Sequence, residues 1–501
     1  MVVAFGLCSR ERRCRESSIR RRTHEAFSVR AERVRRRQLG PRPVRRSAPA
    51  RPASFKRLVQ VATDITAHPQ HSLPKACDNW GDLKAAYRFL SNPRVEPGDI
   101  QVPHRAQTRG RCAEHPVVLI AQDFTDLDFT SRKKITGLGA IGDGGGRGLL
   151  QHTALAVTPQ RKLLGILHQA WMLRPEQPAE ESRRERLARR RMTDAWSDAV
   201  RAIGAAPEGS RFVHVADREG DSFQLMQACA DHQVQFLIRA RHDRCVEDGT
   251  GKLWEFMADQ PVRGRRTIDR SGGPNRGARR AQLELRFTQV VLDPPKLDHR
   301  FQEPRTVWAV YVSEPHPPQN VEPIDWLLLT SAAVETIAEG WERVDWYRCR
   351  WLVEEFHKAE KSGCRLEASQ LNDAADIQRL AAIIAVTAVR LLMLRGLVDD
   401  AKPAAEEGDA KSRQHDAAEL QRCVPWLWIV VVARADKKDP ADPQTLTPRE
   451  FWLRVARRGG YIGRRHDGRP GWSTIWKGWY DFTLMFQGAE LMASSPGPQC
   501  G

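Results

Sequence analysis

The sequence predicts an α/β (α+β) chain: a core built on a sheet, carrying a β-rich insertion and flanked by helical N- and C-terminal domains. Three observations predict it. Val117-Val118-Leu119-Ile120-Ala121 and Arg211-Phe212-Val213-His214-Val215-Ala216 are apolar runs of buried-strand length, each leading into acidic residues. From 346 to 367 the sequence WYRCRWLVEEFHKAEKSGCRLE repeats charged and apolar side chains at helical spacing. The segments 57–100 and 448–492 read as helical, whereas 242–335 alternates β-rich runs with Pro, Gly and basic residues.

At 501 residues the chain is long enough for several domains with buried cores. Its net charge of +18 points to a polyanionic partner. Residues 1–56, however, hold sixteen Arg and one Lys against four Glu, a surplus of thirteen. That segment is Arg-, Pro- and Ser-rich without sustained periodicity, which predicts a disordered basic tail. It reads either as a nucleic-acid-binding arm or as out-of-frame or misassigned sequence. The ten cysteines show no Cys-x2-Cys pair and no Cys/His cluster at zinc spacing, as expected of reduced thiols in the cytoplasm. The run Val2 to Leu7 is too short for a signal peptide. The runs at 380–394 and 426–433 are too short, or too interrupted by Arg390, to span a membrane. A soluble protein is expected.

Taken in order, Leu58, Val59, Val61, Ala62 and Ile65 suit one amphipathic helix, and Asp82 to Leu90 suits a second, stopped by Asn92-Pro93. Arg57, Lys84, Arg88 and Arg94 are candidate phosphate contacts there, or ordinary surface charge. The Val117 to Ala121 strand leads into Asp123, with Asp126 and Asp128 close by. Carboxylates at a strand end suit a site in an α/β sheet, but spacing alone does not choose among the three. Gly137 to Gly148 lacks the Gly-Lys-Ser/Thr of a phosphate loop and reads as a hairpin. Leu149 to Val157 and Leu163 to Leu167 complete three consecutive antiparallel strands. An exposed connection at 180–191 and a helix at 192–203 precede the strand that delivers Asp217-Arg218-Glu219-Gly220-Asp221. Those acids form either a site or an ordinary helix N-terminus. A helix at Ser222 to Ala230 and a strand at Phe236 to Arg241 follow. Gln282 to Phe287, Val307 to Val312 and Trp326 to Thr330 are the strands of the 242–335 insertion. Ile377 to Leu394 is a core helix, 399–445 a linker that is polar over 399–421, and Trp472, Trp476 and Trp479 make one aromatic helix face, for an interface or for internal packing.

In the 346–367 stretch, Tyr347, Arg350, Glu354, Lys358 and Lys361 follow one another at offsets of three, four, four and three, which keeps them on one stripe of a helix. Glu354 there could hold a divalent metal while Arg350, Lys358 and Lys361 grip phosphate. The same spacing also suits a solvated face with i,i+4 ion pairs.

Tyr347-x2-Arg350-x3-Glu354-x6-Lys361, the strand leading into Asp123, the run Asp217-Arg218-Glu219-Gly220-Asp221 and the segment WGDLKAAYRFLSNPRV together resemble the insertion-sequence-four family of DDE transposases. The resemblance covers about residues 57–495. It implies a ribonuclease-H-like core at 113–241 and 336–398, split by the insertion at 242–335. It further implies a partial DNA-end-binding domain at 57–112 and a C-terminal dimerisation domain at 446–495. By resemblance, Asp123, Asp217 and Glu354 are the catalytic carboxylates, holding two Mg2+, with Mn2+ as a substitute. Tyr347, Arg350 and Lys361 would position phosphates near the cleaved strand, and Arg239 would approach the site. Trp326 would hold a flipped base, although a strand tryptophan by itself reads as core. Trp351 would stack near a hairpin end. The implied reaction is cut-and-paste transposition: nicking, hairpin formation and strand transfer by a homodimer acting on terminal inverted repeats and target DNA, in a bacterial cytoplasm. The alternatives are a catalytically inactive DNA-binding or dimer-forming inhibitor and a metal-dependent nuclease.

Overall fold

In a computed structural model the described residues are 52–494, except 70, 175–179, 181, 183–190, 247–250, 271–278, 296–299, 302, 401–409, 437–438 and 465–469. The expected tail at 1–51 and most of the 180–191 connection lie outside them. The chain divides into two compact units, one formed by 69–396 and one by the described parts of 1–68 and 397–501.

The larger unit is built on a ten-stranded mixed sheet. β1 (Val117–Asp128), β3 (Gly146–Val157) and β4 (Leu163–Met172) form the expected antiparallel trio. β2 (Gly139–Ile141) joins β3 as a hairpin, in which Gly142 and Gly144 take left-handed backbone angles of φ 57° and 98°. On the other side β1 pairs in parallel with β5 (Arg211–Ala216), and β5 with β6 (Gln235–Arg239). β10 (Asp325–Thr330) then pairs antiparallel with β6 and is followed outward by β9 (Arg305–Ser313), β8 (Arg279–Leu292) and β7 (Gly264–Arg270). The strands of the 242–335 stretch therefore extend the central sheet through β10 rather than closing on themselves.

The sheet's central strands are apolar because both their faces are covered. Val118, Ile120, Phe212, Phe236 and Ile238 join one buried cluster with Trp196, Ala199 and Val200 of α6 (Asp194–Ile203) and Leu225, Met226 and Cys229 of α7 (Phe223–Asp231). One feature of β1 differs from the expectation. The strand does not end near Ala121 but continues to Asp128, held over that length by pairing with Gly148 to Thr153 of β3. Only its pairing with β5 stops, at Ala121 opposite Val215.

Short helices precede the sheet: α2 (Leu73–Ala76), α3 (Trp80–Leu90), α4 (Pro97–Ile100) and α5 (Val102–Cys112). Asn79 caps α3 by accepting the Asp82 amide at 3.0 Å. Leu83, Ala86, Phe89 and Leu90 form its buried face, which leaves Lys84 and Arg88 exposed one turn apart.

The expected single helix across 346–367 is three pieces. α9 (Ile337–Arg348) begins with a capping box between Thr336 and Glu339 and ends at Cys349. A tight turn follows, with Leu352 and Val353 amides bonding to the carbonyls of Cys349 and Arg350. α10 (Trp351–Lys358) then runs into a π turn at Ala359–Gly363, closed by the Cys364 amide on the Ala359 carbonyl at 2.8 Å. The physical reason is packing. Trp346 and Tyr347 on one side of the break and Val353 and Phe356 on the other are all buried, and a tighter turn between them reorients one piece against the other. The long α11 (Ala374–Asp400) completes this part of the chain, with Ile377 to Leu392 mostly buried.

The smaller unit contains α1 (Pro52–Ala67), α12 (Ala410–Cys423), α13 (Trp426–Arg434), α14 (Pro448–Arg458) and α15 (Trp472–Ser494). Two expectations are corrected here. The tail does not extend to 56, since α1 starts at Pro52. The linker expected at 399–445 contains two helices, α12 and α13, within 410–434. The apolar run Trp426 to Val432 supplies the reason: Ile429 and Val432 are buried and Trp428 stacks on Phe486 at 4.6 Å. Trp476 and Trp479 are buried too, with Trp479 against Trp428 and Trp452, so these two serve packing within the unit. Among the described residues no helix is long and apolar enough to cross a membrane.

Candidate active site

Parallel pairing aligns the first two carboxylates. Ala121 lies opposite Val215, so Asp123 and Asp217, each two residues further on, stand at one level where the β1–β5 ladder stops. Asp217 caps a short 3-10 turn (Arg218–Gly220), accepting the Glu219 amide at 2.9 Å. Gly220 permits that turn, because a Cβ there would lie 2.5 Å from the Ala216 Cβ and 2.9 Å from the Trp196 indole nitrogen. Glu354 reaches the same place from the first turn of α10.

Arg350 holds two of the three together. Its guanidinium donates to Asp123 Oδ2 at 2.5 Å and to Glu354 Oε1 at 2.6 Å. All three side chains are at most one-third exposed. Burial pushes Asp123 up to about 7; Arg350 opposes this, while the negative charges of Asp217 and Glu354 add to it. Burial would lower Arg350, but Asp123, Tyr347 and Glu354 outweigh it and raise its value. The three acids thus share one electrostatic site.

The three Asp of β1 are not equivalent. Asp126 accepts the Gly142 amide at 3.0 Å and Asp128 accepts the Thr130 amide at 2.8 Å, so both serve the β1–β3 end. Asp123 alone of the three faces Arg350. In the second acidic run, Asp221 is structural. It pairs with Arg244 at 2.7 Å and accepts the amides of Arg241 and His242 at 2.7 and 3.0 Å.

Hard carboxylate oxygens on three separate elements are the donor chemistry of a divalent oxygen-ligated cation. Asp123, raised by burial first and by its acidic neighbours in addition, is a group that such a cation would relieve. With the guanidinium between Asp123 and Glu354, no three His, Cys, Asp or Glu among the described residues stand close enough to enclose an ion.

The remaining expected contacts fall into two groups. Tyr347 is buried beside the carboxylates, with Trp326 edge-on to its ring at 5.3 Å and the Arg350 guanidinium 6.0 Å above it. Burial, chiefly, raises the Tyr347 phenol. Arg239 donates to the Asp325 carbonyl at 3.0 Å while its Nε is buried without a partner among the described residues. Lys361 donates to the Asp126 carbonyl at 2.7 Å and pairs with Glu367 at 3.3 Å. Trp351 is 55% exposed and Lys358 is exposed, both on α10. Arg57 on α1 and Lys84, Arg88 and Arg94 around α3 are not in this cluster; Lys84, Arg88 and Arg94 are exposed on the larger unit.

Sequence reasoning missed the cleft beside Asp217, of about 780 Å3, lined also by Arg218, Glu219, Arg241, Trp254 and Asp325. Arg218 and Glu219 were visible in the acidic run; Trp254 carried no signal, because only folding of 251–258 brings it there. Burial and the neighbouring Asp217 raise Glu219. The polar core beneath the site was also missed: Gln122 meets His214 at 2.7 Å, and Gln151 and Gln169 meet Glu360. Polar residues inside apolar strands at 122, 151, 169 and 214 were its available signal.

Two family models match the chain. Residues 55–95, covering most of α1 through α3, match a model described as transposase DNA-binding. Residues 158–390 match one described as transposase DDE domain, a span that includes Asp217 and Glu354 and begins after Asp123.

Proposed function

From a chain that carries a transposase DNA-binding domain and a transposase DDE domain with its ribonuclease-H-like core, we propose a cut-and-paste DNA transposase of the insertion-sequence-four type. The observation that carries this reading is Arg350 bonded between Asp123 and Glu354, with Asp217 level with Asp123 where the β1–β5 ladder stops.

Asp123, Asp217 and Glu354 are the residues that would hold Mg2+, or Mn2+ in its place; bound there, the ion supplies Lewis-acid stabilisation and activation of the attacking oxygen. The chain's own groups do the rest. Arg350 lies between two of the carboxylates and can turn its guanidinium to a phosphate when DNA and metal arrive. Tyr347 backs Arg350 from the core, and Lys361 stands at the β1 end to meet the strand. Trp351 offers an exposed ring beside the site, able to stack on an unpaired base. Lys84, Arg88 and Arg94 bind phosphates of the element end, as does Arg57. The substrate is DNA with terminal inverted repeats, and the working form is a homodimer.

The test is strand cleavage. Purified protein is incubated with labelled DNA carrying the repeats that flank its gene, in Mn2+, beside E354Q. Nicks and hairpins by the parent, reduced on the order of 10^3-fold or more in the variant, are expected. Binding of the ends without cleavage by either protein would favour an inhibitor instead, and nicks without joined products a nuclease.

A further inference from the structure

One residue before Lys361 lies a carboxyl that the reaction does not use. Glu360 is fully buried, inside the π turn. Burying a carboxyl is costly unless its oxygens are matched by donors. Here both are. Gln151 of β3 donates to one oxygen at 2.5 Å and Gln169 of β4 to the other at 3.1 Å. Each amide is oriented in turn. The Gln151 carbonyl oxygen accepts the Trp171 indole N–H at 2.7 Å, and that of Gln169 accepts from Gln101 at 2.6 Å. The direction of every donor in this chain of bonds is set by the next.

On its other side the same turn is tied to β1. Lys361 donates to the Asp126 carbonyl, and Glu367, which follows the turn and pairs with Lys361, accepts the Asp128 amide at 2.9 Å. Adjacent residues thus bind two different parts of the sheet. The turn is widened by the Cys364-to-Ala359 bond, a geometry that an isolated helix rarely adopts. Some tertiary contact must hold it, and the buried bonds of Glu360 do.

We propose that Glu360 is a positioning residue: through Gln151 and Gln169 it locks the π turn so that Lys361 stands near the end of β1, at the Asp126 carbonyl, where it meets the DNA backbone. This rests on the reading of the core as a DNA-cleaving site.

The experiment uses the full chain. E360L removes the carboxyl and leaves two buried amides unmatched; E360Q keeps the shape and one acceptor. Flipping Gln169 and Gln101 would restore the bonds between residue 360, Gln169 and Gln101, at the loss of the longer 3.3 Å bond from Gln101 to the Ala382 carbonyl. At saturating protein, E360L is expected to slow single-turnover cleavage roughly tenfold to a hundredfold, the scale of an ångström-level misplacement. DNA affinity should stay within about threefold, and E360Q should recover most of the rate. In a K361A background E360L should slow cleavage no further. Parent-like cleavage by E360L, or equal slowing with and without Lys361, overturns the proposal. Should E360L fail to fold, Q169L replaces it with the same expectations. Hydrogen exchange at the Cys364 amide decides the matter without activity: it should quicken about tenfold or more in the variant, and unchanged exchange overturns the proposal. A parent protein that does not cleave would instead defeat the reading of the site, leaving the exchange result to judge Glu360.

Discussion

Arg350 is the residue on which the site turns. Its side chain satisfies Asp123 and Glu354 together, at 2.5 and 2.6 Å. It therefore competes for the oxygens a divalent cation would take. Removing it should destabilise the DNA-free protein by roughly 1–3 kcal/mol, since two partly buried carboxylates lose their counter-charge. R350A should then gain more melting temperature from added Mn2+ than the parent does. Equal Mn2+ shifts in thermal melts would mean that Arg350 and the metal do not compete. At this scale much was legible: Glu354, Arg350 and Asp217 stood out in their runs. That Asp123, and neither Asp126 nor Asp128, faces Arg350 was not readable from spacing. It depends on which carboxylates the β2–β3 hairpin and the Thr130 turn consume, and those are contacts between distant residues.

At the scale of elements, α9 carries Tyr347 to the site and starts with a reciprocal cap. Thr336 accepts the Glu339 amide at 3.2 Å, and Glu339 accepts the Thr336 amide at 2.9 Å. T336A should cost about 1 kcal/mol, read as a lower urea midpoint with unchanged slope. A larger effect is expected in β3. A Cβ on Gly148 would come within 2.0 Å of the Leu127 carbonyl oxygen, so G148A must push β1 and β3 apart. We expect a loss of about 2 kcal/mol or more in the same measurement; a parent-like midpoint would contradict the close approach. Several strands were legible because apolar runs mark part of their length, as at 117–121 and 211–216. The break at Cys349 was not. Both halves of that stretch keep helical spacing, and only the burial of side chains on either side of the break demands the tighter turn.

For the larger unit as a whole, buried titratable groups set the pH response. Burial, first among the causes, pushes His214 and His357 down to about 3 and His104 and His168 to about 4, and holds His152 well below its ordinary 6.5. Between those values and 6.5 the unfolded chain binds more protons, so stability rises with pH. Burial acts oppositely on two acids, raising Asp123 to about 7 and Glu360 to about 8. Across their windows the folded state holds more protons, and stability falls as pH rises. The five histidines outnumber the two acids below about pH 6.5, and only the acids titrate above it. Melting temperature should peak near pH 6.5 and decline toward pH 8, with the decline reduced in E360Q. A steady rise to pH 8 in the parent would count against these buried assignments.

The sequence by itself determined the local matter of this protein: which runs are strands, where α3 and α11 lie, and which acidic runs could carry chemistry. Those follow from periodicity and side-chain type within a dozen residues. Tertiary structure decided the rest. It continued β1 past Ala121 by pairing with β3, joined the 242–335 strands to the central sheet through β10, and set helices in 410–434 where polarity read as a linker. It also aligned Asp123 with Asp217 and turned Arg350 between Asp123 and Glu354. Register, burial and charge neutralisation each need two segments far apart in the chain, and a repeat read along one segment does not contain the other.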